Sequence, residues 1–257
     1  MQIPKKISPD SIKSSVVEVR YNSSLVFEVL LGFIYKSLDD SYYYTNRPIP
    51  KSQLPINPKS IVGQPKEDSL NIEQIFINQL SAQHLFYTDK VLITLNSNQI
   101  IFNCINEYLG WDEYFSEIKR TLKQLVEIKE IIEFTRIGIR YINEYPNIHL
   151  KDCANFGFTF GINSVTSQSY TFRSEFQYEK YKAILNLSSM VPNITQPQTT
   201  IPGNLISKID TDIILENAKI KSYDELINSI DDAHKKEKEI FFQVIKQEFL
   251  KTLNPIY

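Results

Sequence analysis

Residues 131–145 read IIEFTRIGIRYINEY, and their alternation constrains this chain more than any other stretch. Side chains on a strand point to opposite faces with a period of two. Phe134, Arg136, Gly138, Arg140, Ile142 and Glu144 therefore share one face, and Thr135, Ile137, Ile139, Tyr141, Asn143 and Tyr145 share the other. The two arginines project the same way, roughly 13 Å apart at about 3.3 Å per residue. Only Gly138 lies between them on that face, and a strand glycine leaves room for close approach. The expected geometry is a notch flanked by two guanidinium groups.

Other runs give the same two-faced pattern. In SVVEVRY (15–21), Glu18 and Arg20 face together, opposite Val17, Val19 and Tyr21. In SKIDTDII, Lys208, Asp210 and Asp212 oppose Ile209, Thr211 and Ile213, and in TFRSEFQ the pair Arg173 and Glu175 share a face. One apolar and one charged face per strand is how antiparallel sheet reads when one side is packed and the other polar. Two accounts of the charges follow. Arg136 or Arg140 can form cross-strand ion pairs with Glu18 or Asp210, each contributing about 0.2–1 kcal/mol. Alternatively the arginines hold a phosphate or carboxylate, whose geometry a guanidinium fork matches.

Between the strands the period changes. Ser23-Ser24 can cap a helix running to about Leu38. From Gly110, apolar residues at Trp111, Tyr114, Phe115, Ile118, Leu122, Leu125 and Val126 recur at three and four, which draws one stripe on a helix. A third, long helix is expected from Tyr223 to about Leu250, with His234 in its apolar stripe. Strand-like runs also occur at IEQIFINQL, HLFYTDKVLITL and QIIFNCI, with Asn96-Ser97-Asn98 as a turn. FGFTFGI, YTFRSEFQYEKY and AILNLSSMV read as a meander, followed by a polar loop, PNITQPQTTIPGN. Segment 46–66 carries five prolines, which remove ladder donors and fix φ, so it reads as an extended arm.

These elements predict an α+β fold: largely antiparallel sheet or sheets covered by long helices, with two similar halves as an option. The similarity rests on GWDEYFSEI and SYDELINSI, each opening a helix after a meander. Placing Asp-Glu at the positive end of a helix dipole explains that likeness equally well. The expected division is 1–150, with the arm at 46–66, and 151–257, packed as one unit.

In this order the features resemble those of a family of sporadically distributed, uncharacterised prokaryotic proteins. The matching stretches are SSVVEVRY, YLGWDEYF, RIGIRYINEY, IDTD and DDAHKKEKEIFF, which span most of the chain. Leu109 stands where the resemblance leads one to expect proline, and segment 41–66 has no counterpart. The resemblance implies a shared fold and a prokaryotic, cytoplasmic setting. Sporadic distribution also implies an accessory role, such as a component of a toxin–antitoxin or phage-defence system. It carries over no activity, cofactor or catalytic residue.

The 257 residues have a net charge of −2, so there is no global basic field for nucleic acid or anionic lipid. The early Lys5-Lys6 pair is not followed by the apolar run of a secretory signal, and the most apolar stretch, Leu25–Tyr35, is far shorter than the ~20 residues that span a bilayer. Cys104 and Cys153 form no CxxC, so two free thiols are expected. His84, His149 and His234 are scattered, with no metal-ligand spacing. Phosphate-loop, dinucleotide-binding and serine-hydrolase motifs are absent.

The reading is a cytoplasmic binding or interaction protein with no cofactor and no metal. Its partner is expected to be another protein or a second copy, with a small anionic ligand as an option. Nucleic acid is disfavoured by the charge, and no membrane association is expected. The rival reading is an enzyme acting on a nucleotide or nucleic-acid phosphate. The candidate ligand-binding residues are Glu18, Arg20, Arg136, Gly138, Arg140, Asp210, Asp212 and His234. Trp111 is expected to anchor its helix, and Tyr42-Tyr43-Tyr44 to meet a partner chain.

Overall fold

The structure is a computed structural model that describes residues 2–38, 40–46, 84–157, 169–190 and 205–257. All five prolines of the expected arm, the run IEQIFINQL, the end of FGFTFGI and the loop PNITQPQTTIPGN lie outside the described residues.

Nine strands form one sheet: β1 (Ile12–Ser23), β2 (Tyr43–Thr45), β3 (His84–Tyr87), β4 (Val91–Asn96), β5 (Gln99–Cys104), β6 (Ile131–Pro146), β7 (Tyr170–Tyr178), β8 (Tyr181–Met190) and β9 (Ile206–Leu215). Their hydrogen-bonded order is β2-β3-β4-β5-β1-β6-β9-β8-β7. The described helices are α1 (Phe27–Ser37), α2 (Trp111–Val126), α3 (Leu150–Cys153), α4 (Tyr223–Val244) and α5 (Gln247–Thr252). No described helix is long and apolar enough to cross a membrane.

This corrects the expected architecture of sheets covered by long helices in two similar halves. One antiparallel sheet dominates, and among the described residues helix is the minor part, in runs of 11, 16, 4, 22 and 6 residues. The two longest strands, β1 and β6, have 12 and 16 residues and are neighbours in the order. The third helix is shorter than its apolar stripe predicts. At Ile245 the backbone leaves α4 to bridge Ala154, and the Lys246 N–H donates to the Cys153 carbonyl, so the stripe continues into a separate helix, α5.

The chain divides into two compact units. One comprises Met1–Ser15, Gly138–Glu216 and Ile230–Tyr257. Its strands β7, β8 and β9 form antiparallel ladders with Asn186 opposite both Arg173 and Asp210. Leu187, Ile209, Tyr145, Phe241, Phe242, Ile245 and Leu250 share its core. Fully burying a side chain of this size contributes roughly 1.5–3 kcal/mol.

The other unit comprises Val16–Ile137 and Asn217–Ser229. Its meander β3-β4-β5 continues onto β1, with Glu18 opposite Ile101. Val17, Val19 and Tyr21 are buried, as the alternation predicts. The stripe of α2 buries Tyr114, Phe115, Ile118, Leu122 and Leu125, and the Tyr114 hydroxyl donates to the Phe102 carbonyl at 2.8 Å. Trp111 is only partly buried and stacks on Phe115 at 4.7 Å. Gly110 begins this helix at φ 82° and ψ 151°, a region open almost only to glycine. Ser23 does not cap α1. Val26 occupies the N-cap position, and the Ser23 hydroxyl instead accepts the Leu25 N–H at 3.1 Å.

Candidate functional site

Alternation along β6 holds from Ile137 to Tyr145. Ile137, Ile139, Tyr141, Asn143 and Tyr145 are buried, while Arg136, Arg140, Ile142 and Glu144 have side chains at least partly open to solvent. Gly138 is buried as well, although it belongs by parity to the charged face. So is Phe134, which exchanges backbone hydrogen bonds with Ile220 at the strand's start.

Each arginine has a carboxylate partner within its own unit. In the unit containing α2, one Glu18 oxygen accepts from Arg136 Nη1 and, at 2.7 Å, from Arg20 Nε. Arg136 and Glu18 are largely shielded, with 15% and 18% of their side chains exposed, whereas Arg20 is 43% exposed. The elements explain the contact. Glu18 and Arg20 are two apart on β1 and so share a face, and β6 is its neighbour in the sheet.

In the unit containing α4, Arg140 grips Asp210 with a two-point fork: Nε to Oδ1 and Nη2 to Oδ2, both at 2.8 Å. Parallel N–H to oxygen bonds of this kind are among the stronger polar contacts in proteins. Hydrogen bonding to Asp210 raises the Arg140 pKa against the opposing cost of burial. The ladder continues across the neighbouring strands. Asn186 donates to Asp210 Oδ2 at 3.0 Å and accepts from Arg173 Nη1 at 3.1 Å. Arg173 also contacts Glu175 at 2.6 Å, and Glu175 meets Lys182 at 2.7 Å. Lys208 pairs with Glu144 at 2.7 Å. Arg140, Arg173, Lys182 and Lys208 are thus matched by Asp210, Glu175 and Glu144, with Asp212 adding to the field around Arg140.

His234 lies on the other side of the sheet from Arg140. It is 9% exposed, and its ring is 5.7 Å from that of Tyr141, which points into the core. Burial is the main cause that pushes its pKa down to about 3, assisted by Lys238 and opposed by Asp231, so the imidazole is neutral. Three positions on, Glu237 is 4% exposed and its Oε1 has no hydrogen-bond partner among the described residues. Burial raises its pKa well above the ordinary value, reinforced by Asp210 and Asp212, and Lys238 only partly offsets this.

Of the eight predicted residues, Glu18, Arg20 and Arg136 meet within one unit; Arg140 and Asp210 meet within the other, with Asp212 nearby in sequence and field; Gly138 and His234 are buried. Sequence reasoning missed two participants. Asn186 was legible, because alternation through AILNLSSMV sets it apart from buried Leu187, but its place between Arg173 and Asp210 needs the register. Glu237 carried no signal in a charged run, DDAHKKEKE, that reads as a solvated helix face.

Chemically, the fork on Asp210 engages Arg140 Nε and Nη2, and the shared Glu18 oxygen engages Arg136 Nη1 and Arg20 Nε. No group of three or more His, Cys, Asp or Glu suited to a metal ion occurs among the described residues. A cleft of about 250 Å³ lined by Ile3, Glu239, Phe242 and Gln243 contains none of the eight. Comparison of the sequence with protein-family models and with curated proteins yields no match.

Proposed function

We propose that this protein works by binding another protein, through an exposed aromatic and aliphatic surface, and not by turning over a substrate on its charged sheet face. One observation carries the reading. On α1 and β2, Val26, Val29, Phe33, Tyr35, Tyr43 and Tyr44 are 67%, 48%, 44%, 57%, 67% and 38% exposed. Exposed large apolar side chains on consecutive elements are a costly surface for a monomer and a common one for an interface.

The local chemistry suits an aromatic anchor site. Val29 and Phe33 are four apart and so lie along one side of α1, with Val26 just before its start. Tyr35 meets Tyr44 edge-to-face at 5.4 Å, and Tyr43 stacks on Tyr87 at 5.5 Å. Tyr42 is committed internally: its hydroxyl is 2.8 Å from Thr121 Oγ1, and the Arg120 guanidinium lies over its ring at 4.9 Å. Of the tyrosine run, Tyr43 and Tyr44 are the members available to a partner. An apolar segment of another protein, able to cover these rings, fits this surface better than a phosphate or a nucleic-acid strand, since the exposed side chains are aromatic and aliphatic. An accessory role in a defence or toxin–antitoxin system is compatible with such a binder and rests on the family resemblance alone.

The test is affinity capture from a host lysate, identification of the captured protein, and titration of that purified partner against wild type, Phe33→Asp and Arg140→Ala. Phe33→Asp should weaken binding at least tenfold while Arg140→Ala leaves it unchanged. Equal affinities for wild type and Phe33→Asp would remove the proposal. In parallel, nucleotides and inorganic phosphate should give no thermal shift, whereas a true ligand at 100 times its Kd would stabilise by about 2.7 kcal/mol. A shift that Arg140→Ala abolishes would favour the enzyme reading instead.

A further inference from the structure

The strand at one end of the sheet order, β7, reads YTFRSEFQY. About its central Ser174 this sequence is self-complementary. Residues equidistant from Ser174 are Arg173 and Glu175, Phe172 and Phe176, Thr171 and Gln177, Tyr170 and Tyr178. Among the described residues, β8 is the only strand paired with it. From these observations we infer that β7 is a homodimer edge: two copies pair their β7 strands antiparallel about a two-fold axis at Ser174, joining their sheets.

The register and backbone directions agree with this pairing. The two-residue turn Glu179-Lys180 makes Tyr178 and Tyr181 the closing hydrogen-bonded pair of the β7–β8 hairpin. Alternation then directs the backbone groups of the even-numbered β7 residues toward β8, and those of Thr171, Arg173, Glu175 and Gln177 outward. A two-fold axis at Ser174 sets Arg173 opposite Glu175 of the second copy, and Thr171 opposite its Gln177. Those are the residues whose N–H and C=O groups point outward, so both strands can exchange about eight main-chain hydrogen bonds. Any one-residue shift of register would oppose residues on different faces and break the match.

The side chains agree as well. Arg173 and Glu175 are 51% and 42% exposed, and the pairing would set them in a closed ring of two guanidiniums and two carboxylates. On the opposite face Phe172 and Phe176, 42% and 37% exposed, would each meet the other's counterpart in a non-hydrogen-bonded pair, where facing side chains come closest. An isologous interface requires this property, that residue i meets j while j meets i. A strand from an unrelated protein would have no reason to mirror the sequence. An edge that no other described strand pairs, and that carries two exposed phenylalanines, is otherwise a template for uncontrolled association. This surface belongs to a different unit from the α1–β2 patch, and the inference does not depend on that patch.

Sedimentation velocity on the full chain at roughly 1–100 μM tests it, with Arg173→Glu and Glu175→Arg as variants. Wild type should dimerise. Each single reversal places like charges opposite one another twice, by symmetry, and should weaken the dimer roughly tenfold or more. Mixing the two variants should restore a dimer, because the glutamate introduced at 173 then meets the arginine introduced at 175, while the native Glu175 of the first variant meets the native Arg173 of the second. Circular dichroism and melting temperature confirm that each variant folds, as expected for exposed side chains. A monomeric wild type overturns the inference and leaves the edge to another protein's strand or to none. A dimer that neither reversal weakens, or variants whose mixture stays monomeric, overturns it too.

Discussion

Glu237 and His234, one turn apart on α4, set opposite demands on the pH at which this protein is stable, and Glu237→Gln separates them. His234 is held neutral by burial, with its pKa at about 3 against 6.5 for the exposed group. Glu237 is held protonated, with its pKa well above 4.5. Stability rises with pH wherever the unfolded chain binds more protons than the folded one. Between pH 3 and 4.5 both states keep the Glu237 proton and the unfolded chain also protonates His234, so stability climbs by up to about 1.4 kcal/mol per pH unit. Across the whole interval from 3 to 6.5 the histidine alone could contribute about 4–5 kcal/mol. Above 4.5 the folded chain keeps the glutamate proton that the unfolded chain has released, so the Glu237 slope opposes that of His234 until the pH passes the folded pKa of Glu237. Glutamine has the shape of the protonated acid and cannot ionise. The variant should match wild type near pH 4.5 and then gain on it by up to about 1.4 kcal/mol per pH unit. Urea denaturation at pH 4.5, 6.5 and 8.5 measures that difference, in which all other titrating groups cancel. Parallel curves for the two proteins would refute the assignment of a buried, protonated Glu237.

Three further outcomes follow. In a double-mutant cycle, Arg140→Ala and Asp210→Asn should show a coupling of about 1 kcal/mol by chemical denaturation; the geometry is a fork, but Arg140 is 45% exposed and solvent screening reduces its value. An additive cycle would mean that the fork does not persist in solution. Gly110→Ala should destabilise by about 1–3 kcal/mol from backbone strain, since nothing lies within 4 Å of the added methyl group; an unchanged melting temperature would contradict this. Cys153 is fully buried and its thiol is pushed up to about 12, chiefly by burial. Iodoacetamide should therefore label partly exposed Cys104 in the native protein and reach Cys153 only after unfolding, as peptide mass spectrometry can resolve.

The charged face of the sheet illustrates how much a polar surface can be structural. Arg140, Asp210, Asn186 and Arg173 make a hydrogen-bonded line across four strands. Asp210 is buried, and leaving it without these donors would cost about 1–3 kcal/mol, so the line favours the observed register over a slipped one. Tyr43 and Phe33, by contrast, are exposed with no such compensation.

Local regularities were legible in the residues themselves. A period of two in RIGIRYINEY and SVVEVRY, and a period of 3.6 after Gly110, marked β6, β1 and α2 and most of their buried side chains, though not Gly138, because the backbone's own geometry imposes those periods. The same alternation placed Arg136 and Arg140 on the charged side and Glu18 and Asp210 on theirs. It could not say which carboxylate meets which arginine, since that depends on strand order and register across separations of 118 and 70 residues. Nor could it foresee one nine-stranded sheet, or the break at Ile245, where a bridge to Ala154 overrides an apolar stripe that local spacing would have continued as helix. Glu237 shows the limit most plainly: in the sequence it is one charge among many, and only the tertiary structure removes it from water and so decides that it keeps its proton.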